Sequence, residues 1–265
     1  MINTVQLLIL AVALFVVFLL TRLYKQSRKV AESDIPDAKT IKRVLAADVA
    51  FYEKLDASEQ SRFEERVVYF LQHIRITPVQ GAAVKPADRV FVAAAGVIPM
   101  FRFQHWFYNN LDEVLIYPDT FSKDFELKGE HRNVAGMVGD GFMHRTMILS
   151  LQYLRAGFLQ QTKGNTAIHE FVHLVDKSDG AVDGIPEELF SASCSKAWVS
   201  LMHEYIKEIR ENEIKDINPY GATNPQEFFA VASEYFFQEP ELLEANHPDL
   251  YRMLDLAFQH NTPSK

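Results

Sequence analysis

Two histidines and a glutamate lie close together in the stretch "NTAIHEFVHLVDKSDG", residues 165–180. His169 and His173 are four residues apart, so a helix places both imidazole rings on one face, where they can hold one metal ion. Glu170 follows the first histidine directly, and from there its carboxylate reaches the water that the metal activates rather than the metal itself. These residue types at this spacing predict a zinc ion and hydrolysis by an activated water.

The same stretch predicts the helix that must position these side chains. Asn165 is a favoured N-cap residue. Apolar residues suited to packing against a core follow at helical spacing: Ile168, Val172 and Val175. Asp176 lies three residues after His173 on the same face, where it either accepts the second imidazole N–H of that ligand or is a solvated acid near the helix end. The alternative to a metal site is an amphipathic surface helix with two solvated histidines.

A catalytic zinc needs a third protein ligand, and the best source is "NPYGATNPQEFFAVASEYFF", residues 218–237. Asn224 and Pro225 predict the start of a helix. Glu227 lies in its first turn, either as a ligand or as a capping-box residue turned back to the Asn224 backbone. Glu234 lies seven residues further and faces the same way, so the pattern alone does not choose between the two glutamates. Three isolated histidines are weaker candidates because none has a partner at ligand spacing: His131, His144 and His203.

The two motifs together resemble the Mlc titration factor A family of bacterial zinc-dependent peptidases, which is related to the catalytic domain of anthrax lethal factor. The resemblance covers roughly residues 40–260 and rests on "HEFVHLVDKSDG" and "YGATNPQEFFAVASEYFF". It implies that His169, His173 and Glu227 bind one zinc ion per chain, with Glu170 as the general base. It also places Tyr220 where the family has its active-site tyrosine, and it leaves Glu234 as a helix-face acid or one that supports a ligand from behind.

This resemblance implies a zinc-dependent peptidase whose partner is a peptide or protein substrate. In such an enzyme Glu170 transfers protons and Tyr220 donates a hydrogen bond to the oxyanion. The alternative is a membrane-tethered binding protein that sequesters a regulatory protein and keeps a structural or vestigial zinc site. A structural zinc usually has four protein ligands. Only three convincing ones are present here, which favours the peptidase.

Composition narrows the class of partner. The chain of 265 residues has a formal net charge of −8, which argues against nucleic acid because phosphate binding needs a basic face. A single cysteine, Cys194, excludes a disulfide framework within the chain.

The beginning of the chain predicts an N-terminal transmembrane anchor at residues 1–23. Residues 7–20 contain no polar side chain, and a spanning helix needs about 20 residues, with a lower limit near 17. Positive charge stays on the cytoplasmic side, and basic residues follow at once: Arg22, Lys25, Arg28 and Lys29. We therefore expect a single-pass protein of the bacterial inner membrane whose catalytic domain faces the cytoplasm; a cytoplasmic protein is the alternative.

Beyond the anchor we expect a charged linker at 24–36 and one zinc metallopeptidase domain at 37–265. The pattern predicts a predominantly helical α+β domain, zincin-like, with a small sheet. Helices are expected within 37–72 and near 186–211, 225–238 and 247–259. Strands are expected at "EVLIYPDTF" and at 147–153. The second of these is either an edge that pairs with an extended substrate or an interior strand with no free edge. The stretch "VFVAAAGVIPMF" fits either a helix or a strand.

Overall fold

The structure, a computed structural model, describes residues 15–16, 30–103, 107–122, 134–139, 143–162, 164–186, 189–190 and 192–258. Helices dominate this part of the chain: α1 (Ala38–Asp48), α2 (Ala50–Glu53), α3 (Ala57–His73), α4 (Pro86–Met100), α5 (Leu151–Phe158), α6 (Thr166–Asp176), α7 (Ala192–Arg210), α8 (Pro225–Gln238), α9 (Pro240–Asn246) and α10 (Pro248–Phe258). The strands are β1 (Arg75–Pro78), β2 (Glu113–Tyr117), β3 (Gly136–Val138) and β4 (Thr146–Ser150). The predicted α+β class with predominant helices and a small sheet is confirmed.

The four strands form one sheet in the order β1, β2, β4, β3. β1, β2 and β4 run parallel, whereas β3 pairs antiparallel with β4, with Met137 opposite Ile148. β4 is therefore flanked on both sides, and β3 lies at the edge. Of the two alternatives for the strand at 147–153, the interior strand without a free edge is the one observed, because β2 and β3 flank it.

The predicted strand also ends earlier than expected. The Ser150 side chain accepts a hydrogen bond from the Tyr153 backbone N–H at 3.4 Å and so caps α5. Leu151 and Tyr153 are consequently helical, although their alternation continues the pattern of the strand.

The ambiguous apolar stretch is helical and forms most of α4. Nearly all of its residues are buried, so it lacks the polar face that marks an amphipathic helix. A Cβ at Gly96 on α4 would lie 2.6 Å from the Phe70 ring and 3.0 Å from the Phe171 ring. The absence of that Cβ lets α4 approach α6 closely, and the Tyr108 hydroxyl donates to the Gly96 carbonyl at 2.9 Å.

Three elements position the candidate site around α6. Its buried back carries Phe171, which packs edge-to-face on Phe70 of α3. On its other sides α6 contacts the edge strand β3 and the helix α8. The motif helix is therefore fixed between the sheet edge and the second motif.

The predicted location in the inner membrane is corrected by the structure. Among the described residues, no helix combines the length and the apolar composition needed to cross a bilayer. The most apolar helix, α4, has 15 residues, and the longest, α7, has 19 residues and a mixed composition. The predicted anchor at 1–23 lies outside the described residues apart from Phe15 and Val16.

Candidate metal centre

The helix α6 presents both motif histidines on one side. Its N-cap is Asn165, whose side chain accepts a hydrogen bond from the Ile168 backbone N–H at 3.2 Å. The predicted helix and cap are confirmed, and the apolar stripe is buried as expected: Ile168, Val172 and Val175. The imidazole Nε2 atoms of His169 and His173 lie 3.1 Å apart. The alternative of a surface helix with solvated histidines is thereby excluded, since His169 is only 8% exposed.

The helix α8 brings Glu227 to the same point. Asn224 caps the helix by accepting from the Glu227 backbone N–H at 2.9 Å, with Pro225 in the first turn. The carboxylate Oε2 of Glu227 lies 3.0 Å from His169 Nε2 and 3.4 Å from His173 Nε2. Glu227 therefore faces the histidines across the helix interface rather than its own N-cap.

These three ligand atoms fit a tetrahedral zinc ion. Bonds of about 2.0–2.1 Å to each ligand separate tetrahedral ligands by about 3.3 Å. The observed separations are 3.0, 3.1 and 3.4 Å. A search of the described residues for three or more histidine, cysteine or acidic side chains that could hold a metal ion finds this group.

The acidic side chains around His169 stabilise positive charge at the cluster, as the pKa shifts of His169 and Glu227 indicate. Burial lowers the pKa of His169, but hydrogen bonds to Glu227 and Glu234 outweigh it and raise that pKa to about 10. Burial raises the pKa of Glu227, but hydrogen bonds to His169 and His173 outweigh it and lower that pKa to about 2. The opposite shifts of these two pKa values mean that the imidazole and the carboxylate stabilise each other's charged form, and a metal ion held by both would displace the imidazole proton.

Glu170 lies beside the cluster, on the side of the edge strand. A Cβ at Gly136 on β3 would fall 2.5 Å from Glu170 Cγ and 2.7 Å from its Oε1, so glycine at this position makes room for the glutamate. Burial raises the pKa of Glu170. A buried carboxylate with a raised pKa is a stronger proton acceptor than one in water.

The structure separates the two glutamates that the sequence pattern left undecided. Glu234 Oε2 lies 3.3 Å from His169 Nδ1, the ring nitrogen that faces away from the cluster. Its other oxygen, Oε1, accepts from the Asn165 backbone N–H at 2.5 Å. Glu234 therefore lies behind a candidate ligand, where a carboxylate orients the imidazole, and Glu227 lies at the cluster.

Asp176 does not contact His173, contrary to one of the two roles considered for it. Both its carboxylate oxygens accept from the Gly184 backbone N–H, at 3.1 and 3.0 Å. It is fully buried, so it is not a solvated acid either. Gly184 adopts φ +75° and packs so tightly on the Pro225 backbone that a Cβ has no room, and its carbonyl accepts from the Trp198 indole at 2.7 Å. Asp176 thus ties the loop after α6 to the start of α8, a role that no local pattern reveals.

Tyr220 lies on the 3₁₀ turn Pro219–Ala222, which Asn218 caps by accepting from the Tyr220 backbone N–H at 3.0 Å. Its ring centroid is 6.1 Å from that of His169, and the residue is 53% exposed. Partial burial and the nearby Glu227 carboxylate raise its pKa. The hydroxyl is therefore protonated at neutral pH and able to donate a hydrogen bond.

The segment before Tyr220 is fixed by Asp216, whose contacts sequence reasoning missed. The Asp216 carboxylate accepts from Tyr235 at 3.2 Å, from Asn246 at 2.9 Å and from His247 Nε2 at 3.0 Å. These partners come from α8 and from the α9–α10 connection, far along the chain from Asp216. Hydrogen bonds to Asn246 and His247 outweigh burial and lower its pKa.

The cluster opens into a cleft of about 1150 Å³. Its lining includes β3 with the preceding Val134 and Ala135, and also Tyr220 and residues of α8. The weaker histidine candidates do not contribute, since His144 and His203 are exposed elsewhere and do not line the cleft. His131 lies outside the described residues.

Comparisons with known proteins show which family the chain belongs to. The model of the family described as glucose-regulated metallo-peptidase M90 matches residues 21–259. Mlc titration factor A of Escherichia fergusonii is 29% identical over 227 residues, covering 82% of this chain and 84% of its own. Mlc titration factor A of Yersinia enterocolitica is 27% identical over 218 residues, covering 78% and 80%. An uncharacterized protein of Synechocystis is 29% identical over 223 residues, covering 80% of each chain.

These matches confirm the predicted resemblance to the Mlc titration factor A family, whereas the relation to the lethal factor catalytic domain stays a prediction. The chain therefore belongs to the glucose-regulated metallo-peptidase M90 family.

Proposed function

We propose that the protein is a zinc-dependent peptidase. The observation that carries this proposal is the convergence of His169, His173 and Glu227 within 4.8 Å of one another, beside the buried Glu170 and open to a cleft. Two imidazoles and one carboxylate are the ligand set of several catalytic zinc sites. Glu234 faces the outer nitrogen of His169 rather than the cluster. The site thus has three protein ligands and an open side.

Each side chain has a role that its position supports. Zinc, when bound, supplies a positive charge that polarises the scissile carbonyl and lowers the pKa of water. Glu170 takes a proton from the attacking water and passes it to the nitrogen of the amine that leaves. The Tyr220 hydroxyl donates a hydrogen bond to the substrate oxygen on which negative charge develops. Glu234 orients the imidazole ring of His169. The cap at Asn224 fixes the backbone position from which the Glu227 side chain extends.

An extended peptide fits the wall formed by β3. The Ala135 carbonyl accepts from Ser150, and the Gly139 N–H donates to Thr146, both toward β4. Because backbone groups alternate along a strand, the N–H and C=O groups of Gly136 and Val138, which line the cleft, point away from β4. On this side of the strand Val134 pairs with Phe121, so the edge offered to a substrate begins after that pair. A substrate strand that pairs with this edge passes directly beside Glu170, which contacts Gly136.

Binding of a regulatory protein is the second candidate function. The name Mlc titration factor A, carried by relatives with 27% and 29% identity, indicates that those proteins titrate a factor called Mlc. Binding of a regulator and hydrolysis of peptides are compatible in one chain. Substitution at the site separates the two roles, because binding that does not use the cluster survives the loss of Glu170.

The substitution Glu170→Gln tests the peptidase proposal. We expect the full-length variant to bind zinc as the wild type does and to lose at least about a hundredfold in turnover of a broad peptide library, the usual contribution of a general base. Glu244→Gln, which changes an exposed glutamate on α9, serves as the control and should cleave at the wild-type rate. Undiminished cleavage by Glu170→Gln would show that this glutamate is not the base.

A further inference from the structure

Large apolar side chains are unusually concentrated on the walls of the cleft. Nine large apolar residues are exposed in the described part of the chain, and four of them line this one cavity: Tyr153 at 38%, Val182 at 39%, Leu242 at 45% and Tyr220 at 53% exposure. Clustered exposed apolar side chains mark binding surfaces, whereas single ones scattered over a protein carry no such meaning.

Three of these side chains lie on opposite sides of the metal cluster. Tyr153 lies one turn before Gly157 on α5, and a Cβ at Gly157 would fall 2.9 Å from the Asn165 side chain at the start of α6. Leu242 lies on α9 just after α8, whose Glu234 accepts from the Asn165 backbone N–H. Val182 follows the turn Lys177–Asp179 that continues α6 at its other end. The cluster on α6 therefore separates Tyr153 and Leu242 from Val182.

Contacts of the neighbouring Gly184 fix the position of the loop that carries Val182. Two residues later, Gly184 is held by Asp176, by the Trp198 indole and by close packing on Pro225. This anchor sets where the loop emerges over the cleft, so that Val182 projects from a fixed base.

Charge does not select the substrate along these walls. Apart from the cluster and Glu170, the charged groups that line the cleft nearly balance: Asp216, Glu234, Glu239, Lys177 and Lys215. Asp216 and Glu234 are already engaged with His247 and His169. The walls thus offer apolar contacts and backbone hydrogen bonds to a substrate, and they do not create an electrostatic potential that is strongly positive or strongly negative.

We propose that the cleft selects extended peptide segments that carry large apolar side chains on both sides of the scissile bond. Tyr153 and Leu242 contact the side chains on one side of that bond, and Val182 contacts the other. This inference rests on the proposed peptidase function and names its substrate class. Apolar contacts remote from the reacting bond stabilise the bound substrate and its transition state, so such peptides have a higher kcat/KM.

The test compares two peptides of equal length on the zinc-loaded full-length protein. One carries leucine and phenylalanine on both sides of a common central bond, and the other carries serine and glutamine at those positions. We expect kcat/KM to be at least about tenfold higher for the apolar peptide, the scale of discrimination by an apolar pocket. Leu242→Gln should reduce this ratio several-fold. Leu256→Gln is the matched control, since Leu256 is an exposed leucine on α10 that does not line the cleft.

A binding measurement keeps the inference separate from the peptidase proposal. Fluorescence anisotropy of the same peptides on the Glu170→Gln variant reports affinity without turnover. Tighter binding of the apolar peptide, weakened by adding Leu242→Gln, supports the inference even where no peptide is cleaved, in which case the proposed activity alone fails. Equal affinity and equal kcat/KM for both peptides, or a ratio unchanged by Leu242→Gln, overturns it.

Discussion

Glu234 Oε2 lies 3.3 Å from His169 Nδ1, while Glu234 Oε1 accepts the backbone N–H of Asn165 at 2.5 Å. One carboxylate on α8 thus holds both a candidate ligand and the N-cap of the helix that carries it. Such a contact fixes the ring orientation and makes the imidazole a stronger ligand. The relationship ties metal affinity to the packing of α8 on α6.

Replacing Glu234 should weaken the metal site without removing a ligand. We expect Glu234→Ala to lower zinc affinity about 10- to 100-fold, the usual effect of losing a carboxylate behind a ligating histidine. Competition with a chromophoric chelator measures this affinity directly. Glu244→Ala, at an exposed position on α9, should leave the affinity unchanged. Equal affinities for both variants would mean that Glu234 does not support His169.

A methyl group at Gly164 should act through Glu234. A Cβ there would collide with Glu234 Oε1, and the carboxylate is flexible enough to move away rather than unfold the protein. We therefore expect Gly164→Ala to lower zinc affinity nearly as much as Glu234→Ala. In the Glu234→Ala background the same glycine substitution should have little further effect, since the colliding oxygen is gone. Additive losses in this double-mutant cycle would contradict the link.

Stability of the metal-free protein should depend on pH through Asp176. Burial raises the pKa of Asp176 from 3.8 to about 7, so between these values the folded state binds more protons than the unfolded state. The free energy of unfolding therefore falls as pH rises through this window, by at most about 1.4 kcal/mol per pH unit.

Chemical denaturation in the presence of EDTA at pH 5 and pH 8 measures this effect. Asp176→Asn, which cannot ionise, should gain stability relative to the wild type as the pH rises. Glu244→Gln, at an exposed position on α9, should keep the wild-type dependence on pH. Parallel profiles for wild type and Asp176→Asn would show that Asp176 titrates normally.

Removing the Tyr220 hydroxyl should slow turnover without affecting folding. Tyr220 is 53% exposed, so the loss of its hydroxyl leaves no buried polar group without a partner in the core. We expect Tyr220→Phe to keep its unfolding free energy within about 0.5 kcal/mol and to lose about a hundredfold in kcat, as when an oxyanion donor is removed. Tyr69→Phe, at a similarly exposed tyrosine, controls for the change itself. A raised KM with unchanged kcat would assign Tyr220 to substrate binding instead.

Features that depend on residues close together in the sequence could be predicted from local patterns. The i, i+4 spacing of His169 and His173, the cap at Asn165 and the cap at Asn224 all have the expected form, because each depends on residues within one or two helical turns. The family resemblance chose Glu227 over Glu234, which no periodicity can do. Both face the same way from α8, and only the packing of α8 on α6 places one at the cluster and the other behind His169.

Features that depend on distant parts of the chain were missed or misjudged. α4 is buried almost all round, so it shows no polar face and fits a helix as poorly as a strand. The alternation of apolar and polar residues at 147–153 runs past Ser150, where the strand ends and the helix α5 begins, so it does not mark the boundary between them. Asp176 contacts Gly184 rather than His173, because the loop folds back onto α8 and Trp198. Asp216 reaches His247 only once the C-terminal helices are packed.

Stoichiometric reconstitution with zinc tests whether one zinc ion at His169, His173 and Glu227 supports peptide hydrolysis. Full-length protein is stripped with a chelator, zinc is added back in fractions of an equivalent, and bound metal and peptide hydrolysis are followed on the same samples. We expect hydrolysis to rise linearly and to reach a plateau at one zinc per chain, and we expect His173→Ala to show neither tight zinc binding nor activity. Full hydrolysis by the stripped protein, or tight zinc binding by His173→Ala equal to the wild type, would contradict it.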